Sequence, residues 1–369
     1  MKIAIGSKIL NKAWGGGNLF VKNLSKHLIN NGHEVIFDLF DNDIDVILFT
    51  DPRFSSENST FNHKDIKYFQ KLVNPNVKVV HRVNECDQRK DTFGVNEYYL
   101  LANKVADHTV FVSKWLQTIY INEGFESSES SVIMSGSDNK IFNNKNYKEW
   151  KKGDKFKLIT HHWGNNKNKG FALYSQLDNL LDNKFWKDKI SFEFIGNTNP
   201  EYEFKNTKIT SPLYEESLAQ ALKECNAYIT ASINEPSGNH HIESSQCGLP
   251  LLYIKSGGIP EFAEDHGLEY NLQNLEEKLL DLMDNYSYYF DLMKSYPFNS
   301  EIMSKDYEDL FLRLGTEKKI KIKFSIVKII IFKIFYKIRY FVKFNPVGNL
   351  IFKSYLRASL IISKNKHTI

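Results

Sequence analysis

The stretch Ala227–Glu261, AYITASINEPSGNHHIESSQCGLPLLYIKSGGIPE, holds a strand, a turn, a helix and a second strand in one run. Ala227–Ser232 is apolar and β-leaning, Pro236 and Gly238 mark a turn, and the helical pattern that follows stops at Gly248 and Pro250. Leu251–Ile254 reads as the next buried strand. The segment is therefore a βαβ unit whose first turn carries the polar groups. Such turns lie at the carboxyl edge of a parallel sheet, where α/β proteins take their ligands. Free backbone N–H groups of Gly238, Asn239 and His240 would point at whatever sits above the helix start, and the helix dipole favours an anion there. Glu235 and Glu243 frame the turn, with seven residues between them. A carboxylate beside an anion site is awkward unless it binds hydroxyls or a developing cation, and a sugar phosphate offers both.

Outward from this unit the same alternation recurs. Phe156–His161, Phe171–Asp182, Ile190–Ile195 and Glu215–Glu224 read as strand, helix, strand and helix leading into it, which implies a parallel sheet. Earlier, Lys2–Ser7 is a first strand. A glycine turn at Trp14-Gly15-Gly16-Gly17-Asn18 then opens a helix bearing Phe20, Val21, Leu24 and Leu28 on one side. Asn30-Asn31-Gly32 ends that helix, and His33–Phe37, Asp45–Thr50, Val77–Arg82 and His108–Ser113 read as further strands, the last followed by a helix over Lys114–Asn122. The charged, Asn-rich run Asn143–Asp154 is the linker between two α/β domains. At 369 residues the chain has room for both.

Composition sets limits. Hydrophobic residues at 42% and charged residues at 25% are globular values. Cys86, Cys225 and Cys247 are too few and too scattered for a disulfide framework or a metal site, which implies a reducing cytoplasm. MKIAIGSKIL enters a strand directly, without the pattern of a signal peptide, and no eighteen-residue apolar run free of charge implies a spanning helix. Of 48 Lys and Arg and 44 Asp and Glu, the tail from Lys318 holds thirteen basic and no acidic residues. That leaves 35 against 44, or −9, over residues 1–317. An acidic body carries a basic tail.

Glu235-Pro-Ser-Gly238 through Glu243, followed by Cys247-Gly-Leu-Pro250 and Gly257-Gly-Ile-Pro-Glu261, resembles the donor-site signature of glycosyltransferase family 4, the retaining GT-B enzymes. Val132–Phe142 is similar to the segment that closes the family's first domain, with Ser135 in place of an asparagine. The resemblance covers roughly residues 1–315. It implies GT-B architecture, an α/β fold of two Rossmann-like parallel-sheet domains facing a cleft. The divisions expected are residues 1–145 on the acceptor side, 146–315 binding the donor, and a basic, helical extension over 316–369.

The resemblance also implies site residues. Glu235 would hold donor sugar hydroxyls near the reacting carbon, and Glu243 the ribose hydroxyls. Lys169, before Gly170, matches the lysine that grips the donor diphosphate, and the amides of Gly238, Asn239 and His240 would share that charge. The arginine five or six residues before that lysine has no counterpart, since Trp163 and Gly164 stand there. Lys167 is the candidate replacement, although lysine offers a point charge and not a fork. Gly16 and Gly17 would let backbone approach the ligand. Gly15 does not begin a nicotinamide dinucleotide fingerprint, because the third glycine position is Phe20.

Within the polar run His81-Arg-Val-Asn-Glu85-Cys-Asp-Gln-Arg, His81 is either an acceptor-facing catalytic histidine or a histidine at the core edge donating to a carbonyl. Asp41-Asn-Asp43 lies at the amino end of a strand, away from the ligand edge, and reads as a solvated loop and not a metal clamp. The pairs His161-His162 and His240-His241 lack a companion carboxylate or cysteine set and read as structural or phosphate-side groups. No cofactor or metal is expected.

The expected reaction is transfer of a sugar from a nucleotide diphosphate sugar to a glycan or lipid-linked acceptor, with retention. Two alternatives stand beside it: a catalytically silent nucleotide-sugar-binding scaffold at the membrane, and a GT-B-fold sugar nucleotide epimerase or phosphorylase. The tail Lys318–Ile369 mixes Ile, Phe and Tyr with regular Lys and Arg. Lys319, Lys323, Lys333 and Lys337 fall on one helical side, and Lys321, Lys328 and Arg339 opposite. It reads as a peripheral anchor on the anionic inner face of the cell membrane. A helix pair on a partner and an extension ordered only in a complex are the competing readings. No nucleic-acid-binding fold accompanies the charge.

Overall fold

The computed structural model describes residues 1–10, 15–53, 55–126, 129–316, 325–345 and 350. Trp14, Lys319, Lys321, Lys323 and the tail after Leu350 lie outside them.

Two six-stranded sheets, parallel throughout, carry the chain. The first contains β1 (Lys2–Ile5), β2 (Glu34–Ile36), β3 (Val46–Phe49), β4 (Lys78–Val83), β5 (His108–Phe111) and β6 (Ser130–Val132) in the order β2-β1-β3-β4-β5-β6. The second contains β7 (Phe156–His162), β8 (Ile190–Gly196), β9 (Lys208–Thr210), β10 (Ala227–Thr230), β11 (Leu251–Tyr253) and β12 (Gly267–Glu269) in the order β12-β11-β10-β7-β8-β9. Central strands such as Val46-Ile-Leu-Phe49 and Ala227-Tyr-Ile-Thr230 are buried along their whole length, because helices cover both faces of a parallel sheet.

Topology places the ligand edge. In the second sheet the order reverses between β7 and β10, which pair through Ala227 with Leu158 and Tyr228 with Ile159. In the first it reverses between β1 and β3. A crevice opens outside the carboxyl ends of strands at such a switch point. The glycine turn after β1 and the loops after β7 and β10 therefore converge where the two domains meet.

Packing crosses the expected divisions. Phe142 belongs to the second domain's core beside Ile159 and Leu249, so that domain begins before residue 146. The helix Ser300–Gly315, which lies before the expected boundary at 315, packs Met303, Tyr307, Leu310, Phe311 and Leu314 among Ile3, Ile5, Phe20 and Leu24 of the first domain. Its start is capped by Asn299, which accepts from the amides of Glu301 and Ile302, and Ser300 N–H donates to Ser137 O at 2.8 Å. The return crossing thus runs beside the outgoing one. Glu308 ties the helix down by accepting from Asn31 and bonding His27 and His33 at 2.7–2.9 Å.

The extension is partly a different object from the one expected. The helix Ile326–Phe344 buries Phe332 and Tyr336 in the first domain's core, against Phe69, Ile66 and Leu39. Phe332 meets Phe69 edge-on with ring centroids 5.5 Å apart, and Arg339 pairs with buried Asp65 at 3.2 Å. This segment is therefore a docked element of the body. Its other side leaves Ile326, Val327, Ile330, Ile331, Ile334 and Ile338 exposed among Lys328 and Lys337. Among the described residues, no helix is long and apolar enough to cross a membrane.

Candidate active site

Between the domains lies a cleft of about 590 Å³. Gly16, Asn18, Arg89 and Lys90 line it from the first domain, and Lys169, Glu235, Gly238, Asn239, His240 and Glu243 from the second.

The second domain builds its wall from the two strand ends at the switch point. After β10 the chain turns through Glu235 and Gly238 into the helix Asn239–Gln246. Gly238 has φ +76°, and a Cβ there would lie 2.8 Å from the His240 ring and 2.9 Å from Glu235 Cγ, so only glycine fits. No side chain caps this helix, which leaves the first-turn amides directed at the cleft with the positive end of the dipole behind them. After β7, Lys169 is buried and pairs with Glu235. Glu243 bonds His161 at 2.9 Å.

Electrostatics follow from burial and pairing. Burial alone would raise the Glu235 carboxyl, but Arg89 and Lys169 outweigh it and hold the pKa at about 2. Burial lowers Lys169, against the opposing pull of Glu235. His162 and His240 are pushed well below the ordinary histidine value, first by burial and then by neighbouring positive groups, and burial puts His241 at about 4. At neutral pH these three imidazoles are uncharged. The site's positive charge therefore resides on Lys22, Arg89, Lys90, Lys169 and the helix start.

Most of the expected residues meet here: Glu235, Glu243, Lys169, Gly238, Asn239 and His240 line one cleft, and Gly16 faces Asn239 closely enough that a Cβ would lie 2.9 Å from its amide. Three do not. Gly17 is outside the lining, inside the first turn of the helix Gly16–Asn30, and a Cβ there would meet nothing within 4 Å. Lys167 is exposed and pairs with Asp91 at 2.9 Å on the outer side of the domain junction. His81 is fully buried within β4, stacked on Phe49 at 4.4 Å with Nδ1 2.7 Å from Asn103 Oδ1, and burial lowers its pKa to about 4. It is a core histidine bonded to the side-chain carbonyl of Asn103, and not an acceptor-facing catalytic group.

His161 turns to Glu243 and His162 to Tyr174, while Asp41 and Asp43 both pair with Lys2 at 2.9 Å. Among the described residues, no group of three or more His, Cys, Asp or Glu could hold a metal ion.

Some contacts at the domain junction were not legible in the sequence. Arg89 reaches the site from the polar run that also holds His81. Trp163 stacks on Tyr214 at 4.9 Å beside Pro212 and Leu213 in the lining. Glu261, the last residue of the Gly-Gly-Ile-Pro-Glu piece, accepts at 2.7 Å from the amides of Lys114 and Trp115, and so caps a helix of the opposite domain.

Residues 189–294 match the family model described as Glycosyl transferases group 1. This part of the second domain is similar to that family. The match covers β8 to β12 and the helix Asn239–Gln246, so the group 1 domain carries Glu235, Gly238 and Glu243. A chain with a group 1 domain in this setting is a glycosyltransferase. No curated protein matches it by sequence.

Solved structures extend the likeness to the whole body. Sucrose-phosphate synthase from Thermosynechococcus elongatus superposes with TM-score 0.63 at 13% identity, over 86% of this chain and 100% of that one. Anabaena HepE in complex with UDP-glucose gives 0.61 at 13% identity, over 85% and 100%. The catalytic domain of starch synthase IV from Arabidopsis thaliana, bound to ADP and acarbose, gives 0.63 at 12% identity, over 86% and 99%. At such identity the shared feature is the fold, and the architecture is GT-B.

Proposed function

We propose that the protein moves a sugar from a nucleotide diphosphate sugar to a glycan or lipid-linked acceptor, with retention at the anomeric carbon. One observation carries the reading: a buried, ionised carboxylate, a buried lysine, an uncapped helix start and Glu243 converge on one interdomain cleft at a topological switch point. That set suits a ligand with hydroxyls at both ends and a diphosphate between them. Two of the solved neighbours, those with UDP-glucose and with ADP, hold such nucleotides.

In this reading Glu243 takes the ribose hydroxyls, and Pro212, Leu213 and Tyr214 shape the base pocket. Glu235 takes sugar hydroxyls near the reacting carbon. The bond between the anomeric carbon and the diphosphate oxygen breaks. The charge growing on that oxygen meets Lys169 and the amides after Gly238, where fixed donors in a water-poor site act most strongly. The leaving oxygen takes the acceptor's proton as the acceptor attacks the same face, so no side-chain nucleophile and no metal is assigned a step.

The helix Ile326–Phe344 supports residence on an anionic membrane surface at the inner face of the cell membrane. Apolar side chains interleaved with lysine can enter the interface while their charges stay in the headgroups. A membrane-derived acceptor fits that position. The test is transfer from labelled nucleotide sugars to a lipid extract, with Glu235→Gln beside the full chain. Labelled product from the full chain only supports the proposal. Nucleotide binding without product from any acceptor would instead favour a silent binder.

A further inference from the structure

We propose that Arg89, carried by the first domain, supplies the cation that the second domain lacks at Trp163-Gly164 and grips the donor diphosphate opposite Lys169. The inference rests on the donor-site reading above.

The two cations bracket one carboxylate. Arg89 Nε lies 3.1 Å from Glu235 Oε1, and Lys169 Nζ pairs with Oε2 of the same residue. Both therefore border the space in front of the helix start at Asn239. The second domain's own candidate, Lys167, points outward to Asp91.

Arg89 is held in place but loosely bonded. Asp87 accepts from the amides of Val95 and Asn96 at 3.0–3.1 Å, which fixes the loop on the first domain. From the second domain, Asn168 donates to the carbonyls of Gln88 and Arg89 at 3.2–3.3 Å, and Asn234 to Gln88 at 3.2 Å. The guanidinium itself makes only long contacts: Nη1 to the two Glu85 oxygens at 3.3 and 3.4 Å, and Nε beside Glu235 without the alignment of a hydrogen bond. The side chain is half-buried, and a cation removed from water is costly unless well paired. A guanidinium with five donors in a fork is suited to two phosphate oxygens.

Charge agrees. Within the cluster around Glu235, Arg89, Lys90 and Lys169 face Glu85 and Glu235, three cations to two carboxylates. Because Arg89 and Lys169 sit on different domains, a diphosphate held by both is also held between domains.

The test titrates the full chain with UDP, ADP and GDP and with the matching nucleosides, comparing Arg89→Ala, Arg89→Lys and Glu243→Ala. Arg89→Ala is expected to weaken the bound nucleoside diphosphate by about 10- to 100-fold, the range of a lost charged hydrogen bond, and to leave the nucleoside within about twofold. Arg89→Lys falls between, and carries the test if the alanine variant does not fold. Glu243→Ala should weaken diphosphate and nucleoside alike. A residue that merely strapped the domains together would weaken both ligands equally on substitution. That result, or an unchanged diphosphate affinity, overturns the role of Arg89 while the donor site stands. If the full chain binds none of the three diphosphates, the donor-site reading falls and this inference with it.

Discussion

Replacing Glu235 by Gln keeps the shape of a buried side chain and removes one charge from the cluster it forms with Arg89, Lys169, Glu85 and Lys90. Glu235 is 5% exposed and pairs with both Arg89 and Lys169, so the variant leaves buried Lys169 facing an amide and half-buried Arg89 with Glu85 alone. Breaking a buried pair in this way costs about 3–5 kcal/mol. The carboxyl's pKa gives a second route to the figure. It falls from 4.5 to about 2, burial opposing and Arg89 and Lys169 prevailing, which corresponds to about 3 kcal/mol. Because the folded pKa is depressed, that stabilisation is fully present above pH 4.5 and is lost as pH falls toward 2. Urea denaturation of the full chain and of Glu235→Gln should thus differ by a constant amount near neutrality, the gap closing between these limits. A nucleoside diphosphate provides Lys169 with a new partner, and at 100 times its Kd it should return about 2.7 kcal/mol to the variant. Turnover should fall by about 10²- to 10³-fold, the scale of a lost transition-state contact, while diphosphate affinity is kept. Equal losses in turnover and diphosphate binding, or a pH-independent stability gap down to pH 2, would refute the reasoning.

Three further outcomes follow from the same geometry. Phe332→Ala should destabilise the first domain by about 3–5 kcal/mol, read in urea, because the ring is buried against Phe69; an exposed-tail helix would show almost no change. Full-chain protein should sediment with vesicles containing 30% phosphatidylglycerol and release in high salt, with binding lost in Ile330→Glu/Ile334→Glu, whereas equal binding to neutral vesicles would contradict the electrostatic part of the account. Transfer should persist in excess EDTA, since neutralisation is assigned to fixed cations, and a metal-dependent rate would remove that assignment.

The second domain was the more legible half. Its signature unit places spacing, turn and helix within 35 residues, so local pattern alone fixes which groups share the turn, and the structure finds β10, the helix Asn239–Gln246 and β11 there. Three-residue strands such as β6, β9 and β12 carry too little alternation to be read. His81 was singled out because the polar run sits at a strand's end, but it lies inside β4, where its side chain enters the sheet's covered face between Phe49 and Tyr99. The residue of that run which reaches the cleft is Arg89, past the strand, and its partner Glu235 lies 146 positions away in the other domain. Contacts set by how two domains face each other leave no periodic trace. The tail Lys318–Ile369 reads as a peripheral membrane anchor because Ile, Phe and Tyr are mixed with regular Lys and Arg, and the helix Ile326–Phe344 lies within it. Only the packing shows that Phe332 and Tyr336 are spoken for by the body.

The central claim is that the cleft is a nucleotide sugar donor site. Thermal stabilisation of the full chain by a panel of UDP, GDP, ADP, TDP and CMP sugars tests it most directly, because a ligand that binds only the folded state raises its stability. The account predicts a shift with one nucleotide, abolished in Glu243→Ala. A full chain whose melting temperature none of the panel raises, or a shift that survives Glu243→Ala unchanged, would contradict it.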